Sequence, residues 1–331
     1  QVALLAVAAV RAGVFPRPVR PRRSERLARL GRALLPGLLA GGLAEINLVV
    51  ATMIASIEDG AVSWLWYADR LHQLPLGIVG IAVGQVLLPE IADVLAGERR
   101  AEVHAVQNRA LEFALALAVP AAVALALLAE PIVSVLFRRG AFGDADVVET
   151  VRALVVLAAG LPAFVAVKVL SPGFWGRGDT RTPMLIGAAV VAVNLALALA
   201  LRPLVGWVAV AAAATAGGWV NAGLLWTVLL RRDHWRIDAA FAHRLPRLLL
   251  AALAMGATVA LAADLATPAL AVAAGTTLRV ATLAGLVVLG LAVYAGLVAA
   301  LRVVDLAALA RARRRDHHVS PPTCPPPADR A

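Results

Sequence analysis

The sequence has a single cysteine, Cys324, among 331 residues. A disulfide within the chain and a cysteine-built metal site are therefore excluded. Aromatic residues are scarce at 5%, and acidic residues are outnumbered, 21 against 31 basic ones. There is no GxxxxGK[ST] loop to cradle a nucleotide, and His72, His104, His234, His243, His317 and His318 show no metal-ligand spacing. No Ser-His-Asp arrangement can be argued. These absences argue against nucleotide-driven work within the chain, metal chemistry and triad hydrolysis. The chain is not expected to be an enzyme, and no cofactor is expected.

Apolar residues are abundant, at 61% of the chain with a mean hydropathy of +0.82. A soluble domain holds about 45–50%. The excess falls into runs of roughly 20 residues, the length that crosses about 30 Å of hydrocarbon. Spans are expected at 33–57, 62–92, 109–137, 151–170, 183–201, 207–230, 248–265 and 276–301, with 1–10 as the end of one more. The fold class is all-α: a polytopic membrane helical bundle of about eight full transmembrane helices. The second of these stretches is too long for one straight span. It holds Pro75, Gly77, Gly80 and Gly84, so a kinked or partly unwound helix is expected.

The net charge is +10 and the pI about 11.3. Such a balance in a soluble protein would suggest nucleic acid. Here arginine gathers in short segments between apolar runs, as in loops that face anionic lipid, so no nucleic-acid partner is expected. The segments 11–32, 93–108, 171–182, 231–247 and the tail all carry arginine, and 11–32 alone holds eight. The alternate set, 58–61, 138–149, 202–206 and 266–275, carries few. Both ends are therefore expected in the cytoplasm. Residues 303–331 form a Pro-rich cytoplasmic tail, expected to be disordered. Residue 1 is Gln and opens into an apolar stretch without a charged n-region, so a signal peptide is not indicated. The expectation is a truncated chain that starts inside a helix. Small residues such as Ala40-Gly41-Gly42 and Ala216-Gly217-Gly218 suit close helix packing in lipid.

Ionisable groups inside a span cost several kcal/mol unless they face a cavity or a partner. Asp69 and Arg70 are adjacent and point about 100° apart on a helix, so one is expected to face a central cavity and the other a neighbouring helix. Arginine suits phosphate, because its planar fork gives paired hydrogen bonds and keeps its charge. A structural pair near the interface is the plain alternative. Lys168 either contacts substrate or snorkels to the interface. Glu45, with Asn47 beside it, could be protonated, pair with Arg70, bind a cation or join helices. Asn194 and Asn221 are expected to bond between helices.

Ser63-Trp64-Leu65-Trp66-Tyr67-Ala68-Asp69-Arg70-Leu71, followed by Gln73-Leu74-Pro75-Leu76-Gly77, resembles the S-W-x-Y-Y-A-D-R-L-x-x-x-P-x-G signature of the bacterial lipid II flippases, the MurJ/MviN family. Further stretches agree in order and spacing: Ile46-Asn47-Leu48 to Ser56, Leu87-Leu88-Pro89, Ala129-Glu130-Pro131-Ile132 to Phe142, Val167-Lys168-Val169-Leu170 to Pro183, and Trp219-Val220-Asn221-Ala222. The likeness runs from residue 1 to about 300.

The resemblance implies two six-helix lobes of the multidrug/oligosaccharidyl-lipid/polysaccharide exporter type, plus two extra C-terminal helices. This chain would supply the MATE-like second lobe (33–232) and the C-terminal pair (233–302), which would line a groove for a lipid tail. The implied activity is alternating access that moves the undecaprenyl-pyrophosphate-linked peptidoglycan precursor across the plasma membrane. Arg70 resembles the family's essential cavity arginine in this lobe, with Asp69 as its neighbour. Lys168 and Glu45 join them as candidate substrate contacts. Some members of the family have a sodium site with acidic residues near the positions of Ala51 and Ala198. Only Asn194 remains here as a matching ligand, so sodium is not expected, and membrane potential or another ion gradient would drive turnover. Membrane lipids, and proteins of the cell-wall machinery, would be the other partners. Another exporter of this superfamily, or a non-transporting scaffold, are the alternatives.

Overall fold

The computed structural model describes residues 42, 45–96 and 100–301. The helix end at 1–10, the basic loop at 11–32, the start of the first span and the tail at 303–331 lie outside the described residues. Among those described, every regular element is helical. The main helices are α1 (Glu45–Ala55), α2 (Ala61–Ala96), α3 (Arg100–Leu127), α4 (Ala129–Phe137), α5 (Asp144–Trp175), α6 (Arg181–Val205), α7 (Ala209–Arg231), α8 (Ala239–Leu265) and α9 (Thr276–Ala300). Among the described residues, five helical stretches are long and apolar enough to cross a membrane, and one of them, Arg181–Arg231, contains both α6 and α7.

Several expected boundaries move. The polar stretch 93–108 is not a loop: α2 runs to Ala96 and α3 starts at Arg100. Charged residues in water at a membrane surface keep a helix going as readily as apolar ones, so polarity alone does not end it. The expected span 109–137 is divided at Leu128 into α3 and α4. The loops 171–182 and 231–247 shrink, since α5 continues to Trp175 and α8 begins at Ala239. The expected unwinding in 62–92 is absent: α2 is helical through Pro75 for 36 residues, about 54 Å at 1.5 Å per residue. A proline in a membrane helix is tolerated when neighbours satisfy the freed carbonyl.

α5 is the hub. It packs on α2, α3 and α7, while α6 lies on α7 and α8 joins α3 and α9. Lipid tails are as apolar as leucine, so these contacts depend on close fit rather than on removal from water. Glycine provides that fit. A Cβ on Gly160 would stand 3.3 Å from the Thr215 backbone, and one on Gly256 would stand 2.7 Å from Val123. One core cluster joins Val79, Leu161, Phe174 and Leu225; another joins Ala68, Ala153, Leu157 and Trp207. Exposed leucines such as Leu250, Leu253, Leu261 and Leu291 form the outer face of α8 and α9.

Charge and hydrogen bonding concentrate at two opposite ends. At one end, the Trp64 indole donates to Asp146 at 2.7 Å and the Trp207 indole to Glu149 at 3.1 Å. Arg138 pairs with Asp144 at 2.6 Å. Gly206, with φ +64°, turns the chain between α6 and α7 beside Glu58. At the same end, Arg279 of α9 is buried and donates to Ser134 Oγ at 2.6 Å and to the Leu270 carbonyl at 3.1 Å. At the other end, Asp179 receives the Thr182 N–H and hydroxyl and the Arg232 guanidinium at 2.7 Å. Partial burial pushes the Asp179 carboxyl up, but these donors together hold it below the ordinary carboxylate value. Asn108 accepts from the Trp235 indole at 2.8 Å and donates to the Arg236 carbonyl, tying α3 to the segment before α8.

Candidate functional site

Two cavities of about 400 Å³ open between α1, α2, α5, α6 and α7. They share Asn47, Leu76, Phe164 and Ala214 on their walls, so they adjoin. The first carries Asp69, Arg70, His72 and Gln73 from one side of α2. The second carries Lys168, Asn194 and Asn221.

The α2 group follows from helical spacing. Positions i, i+3 and i+4 share a face, so Asp69, His72 and Gln73 stack together. The Gln73 amide donates to the Asp69 carboxylate. Arg70 lies over the Trp66 ring, 5.4 Å from its centroid, a cation–π contact that holds the guanidinium without neutralising it. Asp69 and Arg70 both line the same cavity. The expected division of the two, one to the cavity and one to a neighbouring helix, is not found. The cavity wall spans more than 100° of α2, and the long Arg70 side chain follows Trp66 around it.

Lys168 reaches the second cavity from α5. A Cβ on Gly80 would stand 3.0 Å from Lys168 Cδ and 3.2 Å from its Cε, so the lysine stem lies in the groove that this glycine leaves in α2. Asn194 packs on the bare backbone of Gly217, and its buried Oδ1 has no hydrogen-bond partner. A gap of about 40 Å³ brings Asn47 and Asn194 together with Ala51 and Ala198. Its wall offers two amide groups and no carboxylate, a weak donor set for a cation. No group of three His, Cys, Asp or Glu side chains suited to a metal occurs among the described residues. Glu45 is exposed and stands on neither cavity wall, although Asn47, two positions on, lines both.

Of the residues expected at a site, the structure thus brings Arg70 and Asp69 to one cavity and Lys168 and Asn194 to the next. Sequence reasoning passed over His72, Gln73 and Gly80. The i+3 and i+4 offsets from Asp69 were the available signal for the first two. Nothing in the sequence marked Gly80 as the seat of a lysine on another helix.

Long apolar helices, ion pairs gathered at the two ends and charged cavities within the bundle define a multi-pass helical membrane protein. A solved structure described as "Lipid II flippase MurJ, inward closed conformation" shares the fold, with a TM-score of 0.67 at 22% identity over 89% of this chain and 58% of that one. A multidrug resistance MATE family transporter of the MOP superfamily, in an outward-facing conformation, has a TM-score of 0.51 at 18% identity, covering 83% of this chain and 65% of that one. The sequence model of the family described as lipid II flippase MurJ matches residues 1–282. The "Probable lipid II flippase MurJ" of Rhizobium meliloti (strain 1021) is 45% identical over 294 residues, 89% of this chain and 55% of that protein. The chain belongs to the lipid II flippase MurJ family. It spans about half the length of the curated relatives it matches.

Proposed function

We propose that the chain forms the second lobe of a lipid II flippase, carrying the undecaprenyl-pyrophosphate-linked peptidoglycan precursor across the bacterial plasma membrane by alternating access. The observation that carries this reading is the cationic wall. Arg70 and Lys168 reach adjoining cavities of a membrane bundle, and among the described residues neither forms an ion pair there. Arg70 and Lys168 outnumber Asp69, the single carboxylate on these walls, and a net positive cavity of low dielectric attracts a diphosphate strongly. The work is transport rather than catalysis. Membrane potential or an ion gradient supplies the drive, and both ends of the chain lie in the cytoplasm. In this reading residues 33–232 form the lobe. Residues 233–302, whose helices α8 and α9 carry exposed leucines, give the lipid tail its groove.

The test is accumulation of unflipped precursor in cells depleted of their own flippase and given the full-length gene. Wild type is expected to restore flipping, and Arg70→Ala to reduce it by about tenfold or more, as for loss of one charge-assisted contact. Normal flipping by Arg70→Ala sinks the site assignment. Failure of the wild-type gene sinks the function.

A further inference from the structure

His72 is only 4% exposed, yet it lines the same cavity as Asp69 and Arg70. Among the described residues, neither of its ring nitrogens has a hydrogen-bond partner. Its ring meets Phe164 edge-on at 5.2 Å, which fixes the plane but satisfies no nitrogen. Buried polar groups are almost always bonded, so two orphaned nitrogens on one cavity-lining residue require an explanation. Nδ1 stands 3.9 Å from Asp69 Oδ1, one small side-chain movement from a hydrogen bond. We propose that Asp69 and His72 form a proton-binding pair in the wall of the cavity. What the bound proton does there rests on the flippase reading above.

The step balances simply. A proton from bulk water binds the imidazole. The resulting imidazolium donates to the Asp69 carboxylate, and the proton later returns to water. The charged groups around the pair support this assignment. On α2 they are Asp69 itself and Arg70, which is engaged with Trp66. From α5 the nearest cation is Lys168, in the adjoining cavity. The residues facing from α1 and α7, Asn47, Thr52, Val210, Ala211 and Ala214, carry no charge. Asp69 is thus the one anion on the walls; Gln73 and His72 approach it, and the Arg70 charge acts on it from the next position of α2.

The charge count gives the pair a consequence. With His72 neutral, Arg70, Lys168 and Asp69 sum to one positive charge; with His72 protonated, the sum is two. Proton and anion would each tighten the binding of the other, because coupling between two sites is reciprocal. A cavity that takes a proton on one side of the membrane grips a diphosphate more strongly there, and losing the proton loosens that grip.

The experiment follows the histidine signals of the full chain, labelled with nitrogen-15 and held in lipid nanodiscs, across a pH titration by magnetic resonance. His72→Gln identifies the His72 signal, and His72→Phe, which keeps the ring against Phe164, serves if the first variant does not fold. The expected result is a one-proton titration of His72 that Asp69→Asn moves to lower pH by about one unit or more, a tenfold loss of proton affinity. A His72 signal that stays neutral down to pH 4, or that ignores Asp69→Asn, overturns the proposal. Inorganic pyrophosphate, added separately, is expected to move the titration to higher pH. A titration that depends on Asp69 but ignores pyrophosphate upholds the proton pair and counts against the diphosphate reading of the cavity.

Discussion

Two glycines of the bundle should respond differently to the same added methyl group. Gly160 on α5 faces Thr215 of α7. A Cβ there would stand 2.8 Å from the Phe164 ring, 3.0 Å from Thr215 Oγ1 and 3.3 Å from Thr215 Cα. The last contact is backbone, and the Thr215 hydroxyl is held by its bond to the Val156 carbonyl at 2.8 Å. Relief requires α5 and α7 to part. Such overpacking costs about 1–3 kcal/mol, offset by up to about 1 kcal/mol because alanine favours the helix over glycine. Gly217 looks worse by distance, since its Cβ would stand 1.7 Å from Asn194 Oδ1. The obstacle there is the end of a side chain, however, and that oxygen has no hydrogen bond to lose. The amide can swing into the adjacent cavity for a rotamer cost of about 0.5–1.5 kcal/mol, which the helix preference of alanine nearly cancels.

Gly160→Ala should therefore lower the unfolding midpoint in detergent by a few degrees, about 2–4 °C per kcal/mol. Gly217→Ala should leave the midpoint nearly unchanged and, in the flippase reading proposed above, reduce flipping by the full-length protein, because the displaced amide fills the cavity. Adding Asn194→Ala to Gly217→Ala should restore that space, a coupling that a double-mutant cycle reads directly. Circular dichroism gives the midpoints, and precursor accumulation gives the activity. If Gly217→Ala is the less stable of the two, or if Gly160→Ala is silent, the account of which neighbours can yield is wrong.

Two further outcomes follow from the ends of the bundle. The Asp179 carboxyl is held below its ordinary value, so its contribution to stability is complete above pH 4 to 5 and is lost as pH falls through the folded-state value. Asp179→Asn should remove about 0.5–1 kcal/mol at pH 7 and flatten the acid limb of the stability curve, as measured by thermal unfolding across pH. Arg279→Ala leaves the Ser134 hydroxyl and the Leu270 carbonyl without their charged donor, and should cost about 1.5–3 kcal/mol, read from the same unfolding assay.

Six of the eight expected spans fall on the apolar helical stretches of the described residues, and they were legible because crossing hydrocarbon demands an uninterrupted apolar run. Their ends were not. Arg100–Asn108 reads as a loop by polarity, yet it forms the first turns of α3, because polar side chains in water leave helical hydrogen bonding intact. Pro75 and its neighbouring glycines read as a break, yet α2 passes through them, and Gly80 serves a contact with Lys168 of another helix. In the site, Asp69 and Arg70 stood out because charge in a span is costly. His72 did not, since a lone histidine is unremarkable until its burial and its missing partners are seen. Glu45 drew attention for the same reason as Asp69, but only the three-dimensional arrangement shows that it stands off both cavity walls while Asn47 faces them.

In the lobe reading proposed above, the tethers at the two ends limit how the described bundle can move. Tryptophan and arginine bonds clamp the α1–α2, α4–α5 and α6–α7 turns at one end, and Asp179, Asn108 and their partners clamp the other. A barrel hooped at both rims does not flex open in the middle. In that reading it would tilt as one piece, and its cavity would change sides against whatever stands opposite.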